Sequence, residues 1–412
     1  MSRRRRWTPV RGTGNRIYEP GERLLVAALD WPLRATLGAA RLCGWGRPAP
    51  LDPAAAREVL VLRLDRIGDL LMSLPALHDL RAALPRARIR LAVGRWSEEV
   101  ARAAPVDEVL VWSAPWVGRA HEGAEPFGQL LLRARALRSA GLELALDLQG
   151  DVRANLLLLA SGARRRVGYA NTGGGALLTS VVPLDETVSW VEQNRRAVGQ
   201  ALGRPPGAAR CDALGPVDRD FAARLFENLR LGQRGPVIGI HPSGGRLVKQ
   251  WPVERWAELA ASLERRFDAE FVFTGSQVDQ PLAQQLARAC RRLSFDLAGK
   301  LGARETLAVI ERLDLFLSPD TGPMHMACAV GTPSLAVFGP SDPLRYFSGG
   351  SGAPGARHVV VRAELWCSPC NLIRKPPNEC SGPEPPECLR LVTVAQVEAG
   401  AARLLEAGRR SS

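Results

Sequence analysis

The chain reads as an α/β protein made of two doubly wound domains, because short apolar runs alternate with amphipathic helical stretches in both of its halves. Two further observations support that class. Three turns that run from an apolar stretch into a helix are rich in Gly, Ser, Asp, Thr and basic residues. A stretch with Pro205, Pro206, Gly207, Gly215 and Pro216 separates the halves. The 412 residues suffice for two domains of ordinary size plus extensions, and 46% hydrophobic content excludes global disorder.

Residues 1–57 form a basic extension. Its first fifty residues hold ten arginines against Glu19, Glu22 and Asp30, so +7 of the net +13 lies there. Asp30 can cap a helix with Pro32 in its first turn. Leu33, Leu37 and Ala40 then share one face and Arg34 and Arg41 another, with Trp7, Trp31 and Trp45 along the segment. Such a helix suits either an anionic membrane interface or packing on its own protein. Charge gathered in an extension favours a membrane tether over nucleic acid, since no aromatic-interleaved basic stripe runs through the body. No run of 18 apolar residues suggests a membrane span. Arg3 to Arg6 lack a following signal-type apolar stretch, as Leu24 to Leu29 comes late and is short. A cytoplasmic protein, peripheral at the inner face of the membrane, is expected.

A first domain is expected over 58–215. Strands are predicted at Val59–Leu64, Ile89–Val93, Glu108–Trp112 and Leu144–Leu148, with Leu177–Val182 closing the sheet. Helices fall between them, one from the Asp69 turn to Leu84, one at Phe127–Ala140, and one at Trp190–Leu202. The link lies within 203–235. A second domain over 232–392 has strands at Val237–His241, Glu270–Thr274, Leu293–Leu297, Leu313–Leu317 and Ser334–Phe338. Its helices are Glu254–Arg266, Gln280–Arg291 and Ala303–Glu311. A last helix, Thr393–Glu406, lies in the tail 393–412.

Chemistry is expected in three loops. Leu317-Ser318-Pro319 stops at Asp320-Thr321-Gly322, and Pro323 follows where a first helical residue needs no N–H. Free amides and the positive end of a helix dipole are thus offered to a phosphate, with His325 one turn further on. Asp320 would repel an anion by itself, so bracing the loop suits it better. The second loop, His241 to Pro252, has Ser243, Gly244, Gly245, Arg246 and Lys249, a plausible anion clamp. Only three lysines occur in the chain, Lys249, Lys300 and Lys375, which singles out Lys249. The third, Asp65 to Leu70, places Gly68 and Asp69 at a helix start, where Asp69 serves as a cap or as a base.

These elements together resemble glycosyltransferase family 9, the bacterial heptosyltransferases of lipopolysaccharide assembly. The resemblance spans residues 58–400 and is carried by Leu62-Arg63-Leu64-Asp65-Arg66-Ile67-Gly68-Asp69, Leu74-Pro75-Ala76-Leu77, Asp147-Leu148-Gln149-Gly150, Lys249-Gln250-Trp251-Pro252, Ser318 to His325, and Phe338-Gly339-Pro340-Ser341-Asp342-Pro343. It implies the GT-B fold, two Rossmann-like domains facing across a cleft. It also implies inverting transfer, without a required cofactor or catalytic metal, from a nucleotide sugar such as ADP-heptose to a lipid-linked glycan acceptor. Asp69 matches the family's general base and Lys249 its cation on the donor phosphates. Asp320, Thr321, Gly322 and His325 match the donor-phosphate loop. The adenosine would lie near Thr274, Gly275, Lys300 and Leu301, with Ser243 and Gly244 also on the donor side. Arg66, Gly68 and Gln149 fall on the acceptor side.

Cys367, Cys370, Cys380 and Cys388 could make a tetrahedral thiolate site for a structural metal, or be reduced and unligated. Cys43, Cys211, Cys290 and Cys328 read as scattered small apolar residues. The competing classes are a transferase with another nucleotide sugar, a nucleotide-sugar epimerase, and a non-catalytic nucleotide-binding protein on the same fold.

Overall fold

A computed structural model describes residues 51–117, 123–205, 215–349, 356–372, 378–382 and 384–411, with positions 32, 35 and 36. Trp7, Trp31, Trp45 and the ten arginines of the first fifty residues, Cys43, Cys211 and the Pro206–Gly207 part of the link lie outside those residues. The described chain falls into two compact units, one ending at Pro205 and the other beginning at Gly215.

The N-terminal unit is one parallel sheet of six strands with helices between them. In chain order these are β1 (Glu58–Arg63), α1 (Ile67–Leu71), α2 (Leu74–Ala83), β2 (Arg88–Val93), α3 (Glu98–Ala101), β3 (Glu108–Val111), α4 (Phe127–Ala136), β4 (Leu144–Asp147), α5 (Val152–Ala160), β5 (Arg165–Gly168), β6 (Ser180–Val181) and α6 (Trp190–Leu202). The spatial order is β3-β2-β1-β4-β5-β6. β1 lies between β2 and β4, with Leu62 opposite both Ala92 and Asp147. Val59 to Leu62 are fully buried, as strands covered on both faces must be.

The expected helix after Asp69 is two helices, α1 and α2, broken at Met72–Ser73. Pro75 in the first turn of α2 has no N–H to continue the preceding helix, and Ser73 spends its hydroxyl on the Asp69 carbonyl. Asn194 of α6 holds this break from behind through Ser73 Oγ at 3.1 Å.

The C-terminal unit repeats the plan. It comprises α7 (Pro216–Leu229), β7 (Val237–Ile240), α8 (Val253–Phe267), β8 (Glu270–Phe273), α9 (Gln280–Ala289), β9 (Ser294–Asp296), α10 (Ala303–Glu311), β10 (Leu315–Pro319), α11 (Gly322–Val330), β11 (Ser334–Phe338), α12 (Pro343–Tyr346), β12 (His358–Arg362), α13 (Glu387–Arg390) and α14 (Val394–Ser411). Its strands are again all parallel, in the order β12-β11-β10-β7-β8-β9. Its core includes Trp251 and Trp256, packed edge to face at 4.8 Å, with the Trp251 indole donating to Val392 O at 3.1 Å.

The elements beyond the named expectations are β5, β12 and the helices α3, α5, α7, α12 and α13. Within the stretch expected to link the domains, residues 216–229 form α7, packed against α10 and tied to it by the Arg219–Glu311 ion pair at 3.0 Å. The expected strand Leu177–Val182 is a short turn followed by only β6.

Gly239 in β7 has no room for a side chain. A Cβ there would lie 2.3 Å from Leu313 Cδ1 and 2.7 Å from Phe316 Cδ2. Gly239→Ala is therefore expected to cost about 1–3 kcal/mol through overpacking. Urea unfolding reads this as a lowered midpoint at unchanged slope; an unchanged midpoint would show that the core yields freely.

Candidate active site

Each unit gathers its candidate residues at the carboxyl ends of the central strands, where doubly wound sheets bind ligands. In the N-terminal unit the turn after β1 carries Arg66, Gly68 and Asp69. The Asp69 Oδ2 accepts the Arg66 N–H at 3.2 Å, so this carboxylate does cap α1. Its other oxygen stays 3.8 Å from Arg63 Nη2, and the side chain is 30% exposed, enough to meet a ligand. Arg66 is exposed and Gly68 is buried.

The turn after the adjacent strand β4 carries Gln149. Its N–H and that of Gly150 donate to the Asp147 carboxylate at 3.0 and 2.8 Å. The Gln149 Oε1 is buried without a hydrogen-bond partner. Burial pushes the Asp147 carboxyl up to about 7, against the pull of those two amides and of Arg63. Burial also pushes Asp65 well above the usual carboxylate range, with Arg63 opposing it.

In the C-terminal unit, β7 and β10 are neighbours, so the loops that follow them meet. Gly244 packs directly on the Lys249–Gln250 backbone: a Cβ there would lie 2.6 Å from the Lys249 carbonyl carbon. That contact and the buried Trp251 fix where Lys249 emerges. Its ammonium pairs with Asp320 Oδ2 at 2.7 Å, the side chains being 17% and 7% exposed. Burial pushes the Asp320 carboxyl up, but the charge and hydrogen bond of Lys249 and the charge of His325 outweigh it and hold the group below its ordinary range.

Thr321 is the N-cap of α11, with Gly322 and Pro323 in the first turn. The first amides of a helix have no partner within it. The Thr321 hydroxyl is buried and likewise unpartnered. His325, one turn on, is buried with its Nδ1 3.0 Å from Ser348 Oγ. Unpartnered donors at the positive end of a nine-residue helix are the chemistry that receives an anion in such folds.

Around the ends of β7 and β8, His241 Nδ1 lies 3.4 Å from the Thr274 hydroxyl. Burial pushes the His241 imidazole below its usual range, against the charge of Asp279. Ser243 and Ser276 both hydrogen-bond Asp279. The Gly299 N–H donates to Gly275 O at 2.9 Å, bringing the Thr274–Gly275 and Gly299–Leu301 turns together. Lys300 is turned onto its own loop, donating to Asp296 O at 2.5 Å.

The four tail cysteines face one another closely enough for their charges to be felt. Burial first, and then neighbouring thiols and carboxylates, push the Cys367 and Cys380 thiols up and Cys388 to about 12. Among the described residues no group of three or more His, Cys, Asp or Glu is arranged to hold a metal ion.

Arg63, Asp65 and Asp147 were not singled out as site residues by sequence. Arg63 sits at the end of an apolar strand, and only the pairing of β1 with β4 brings it to the turn after β4. Its recurring partners were all in the quoted motifs, yet nothing in their spacing signals the contacts.

Both parallel α/β units thus carry polar turns at the carboxyl ends of their central strands, one with a carboxylate at a helix start and the other with unpartnered donors at a helix start, the place where doubly wound folds bind ligands. Residues 132–379, more than half of the chain, match glycosyltransferase family 9 (heptosyltransferase), and the chain belongs to that family. It is a glycosyltransferase. It is 23% identical over 304 residues to the lipopolysaccharide core heptosyltransferase OpsX of Haemophilus influenzae, covering 72% of this chain and 83% of OpsX. Its fold is similar to that of E. coli ADP-heptose lps heptosyltransferase II, with a TM-score of 0.66 at 21% identity over 86% of this chain and 100% of that one. The E. coli heptosyltransferase WaaC with ADP-2-deoxy-2-fluoro heptose superposes with a TM-score of 0.61 at 19% identity, covering 84% and 99%. No helix among the described residues is long and apolar enough to cross a membrane.

Two outcomes follow from this chemistry. Lys249→Met leaves a buried Asp320 charge unpaired and is expected to cost about 3–5 kcal/mol, most of it recovered in the Lys249→Met/Asp320→Leu double variant. Equal instability of single and double variants in urea would contradict the pairing. For Asp147, the folded state keeps a proton that the unfolded chain releases between its ordinary 3.8 and about 7. That contribution to stability is fully present below pH 3.8 and is lost as pH rises through about 7. Asp147→Asn should flatten this decline; denaturation midpoints at pH 5 and pH 8 check it.

Proposed function

We infer that the protein moves a heptose-type sugar from ADP-heptose to a lipopolysaccharide core or related lipid-linked glycan, with inversion and without a catalytic metal. The observation that carries this reading is the unpartnered Thr321 hydroxyl beside the first-turn amides of α11, with the Lys249–Asp320 pair next to them. Family membership supports a nucleotide-sugar donor, and the nucleotide sugars named for the E. coli structures support ADP-heptose.

In this reading the N-terminal unit takes the acceptor and the C-terminal unit the donor. Asp69 accepts the proton of the attacking hydroxyl as the bond from the anomeric carbon to the diphosphate breaks. The departing diphosphate gathers negative charge. Preorganised amides at Thr321 and Gly322, the Lys249 ammonium and His325 stabilise that charge more as it develops. Asp320 keeps the ammonium in place, leaving two of its three donors for phosphate oxygens. A single carboxylate base, with no covalent intermediate, gives displacement with inversion. The Gln149 Oε1 is suited to orient an acceptor hydroxyl. Thr274, Gly275 and Leu301 suit the nucleoside, whereas Lys300 serves its own turn. The basic N-terminal extension suits an anionic membrane surface, which would hold the enzyme beside a lipid-linked acceptor on the cytoplasmic side.

The test is nucleotide release with ADP-heptose and core-deficient lipopolysaccharide, compared with other nucleotide sugars. ADP release that requires the acceptor is expected. Asp69→Asn should lower kcat about 10²–10⁴-fold while the donor KM stays close to wild type. Acceptor-dependent release with a different donor would redirect the specificity. Wild-type turnover by Asp69→Asn would remove its assigned role.

A further inference from the structure

Arg63 is the exception in β1. It follows four fully buried apolar residues, and its own side chain is 3% exposed. A buried cation is unfavourable unless it is paired and its donors are used. Arg63 meets both conditions with groups from only two turns. Its Nε donates to Asp69 O at 3.0 Å and lies 3.2 Å from Asp65 Oδ1. Its Nη1 donates to Leu148 O, and its Nη2 lies 3.8 Å from Asp69 Oδ1. The Asp69 carbonyl is also gripped from the other side by the Ser73 hydroxyl at 2.8 Å. With Oδ2 held by the Arg66 N–H, every polar group of Asp69 except its free carboxylate edge is fixed.

The geometry points to Arg63 as a positioning residue for sugar transfer: one guanidinium fastens the turn that carries Asp69 to the turn that carries Gln149 and fixes the direction in which the Asp69 carboxylate faces. Asp65 supplies the countercharge that lets the cation sit there. This rests on Asp69 being the base. Arg63 touches no substrate and acts through Asp69. A planar fork is needed, because a single ammonium cannot reach two carbonyls and two carboxylates from one stem. The catalytic value of such fixing is orientation, to which transfer rates are steeply sensitive.

The experiment is a double-variant cycle on the full-length protein with ADP-heptose and core-deficient lipopolysaccharide, folding being checked by thermal unfolding. Arg63→Met is expected to lower kcat about 10–100-fold with the donor KM within about twofold, and Arg63→Lys to restore part of the loss. The Arg63→Met/Asp69→Asn double variant should be no slower than Asp69→Asn alone, because a residue acting through Asp69 has nothing left to position. Losses that multiply in the double variant, or wild-type kcat for Arg63→Met beside an impaired Asp69→Asn, would overturn this inference alone. Wild-type transfer by Asp69→Asn would overturn the base assignment and this inference with it. Should Arg63→Met unfold, the cycle is run with Arg63→Lys, for which the same non-additivity is expected and multiplied losses again overturn the inference.

Discussion

Parallel pairing is the constraint from which the sites follow. In both units every described strand runs the same way, so every turn from a strand into the next helix opens at one edge of the sheet. In each unit the first strand lies between the second and the fourth of that unit. Chain order reverses there, and the turns after the first and fourth strands meet. Asp69 and Gln149 come together in this way in one unit, and Lys249 and Asp320 in the other.

A cation stitches each of these junctions. Lys249 crosses from the turn after β7 to the turn after β10 through Asp320, and Arg63 crosses from β1 to the turn after β4 through Leu148. The two differ in the way their side chains would predict. Lysine presents a compact charge that can share itself between Asp320 and an incoming anion. Arginine presents a fork whose contacts all go to the protein. The first suits binding and the second suits holding a neighbouring group still. In both cases the carboxylate partner makes the buried charge tolerable, so the acidic residues of the sites have structural work as well as chemistry.

The interior strands were legible in the sequence because burial on both faces demands unbroken apolar runs such as Val59–Leu62 and Leu315–Leu317. Strand β5 was not, since Arg165 and Arg166 open it and their half-buried side chains break the apolar pattern. Strand β12 lies at a sheet edge and has His358 and Arg362 at its ends. Helix α7 was hidden by the prolines and glycines around it, although Pro216 is a favourable first helical residue. The turns themselves were readable, because Gly, Asp, Thr and Lys between a strand and a helix have few other uses. What joins them was not. The Lys249–Asp320 and Arg63–Leu148 contacts depend on which strands become neighbours, and local sequence carries no record of that.

The account turns on a diphosphate seated at the start of α11. A crystal structure of the full-length protein with ADP measures this most directly. The expected result is phosphate oxygens within hydrogen-bond distance of the Thr321 and Gly322 amides and of the Lys249 ammonium, with Asp320 still paired. Phosphates bound away from that helix start, with Thr321 left unpartnered, would contradict it.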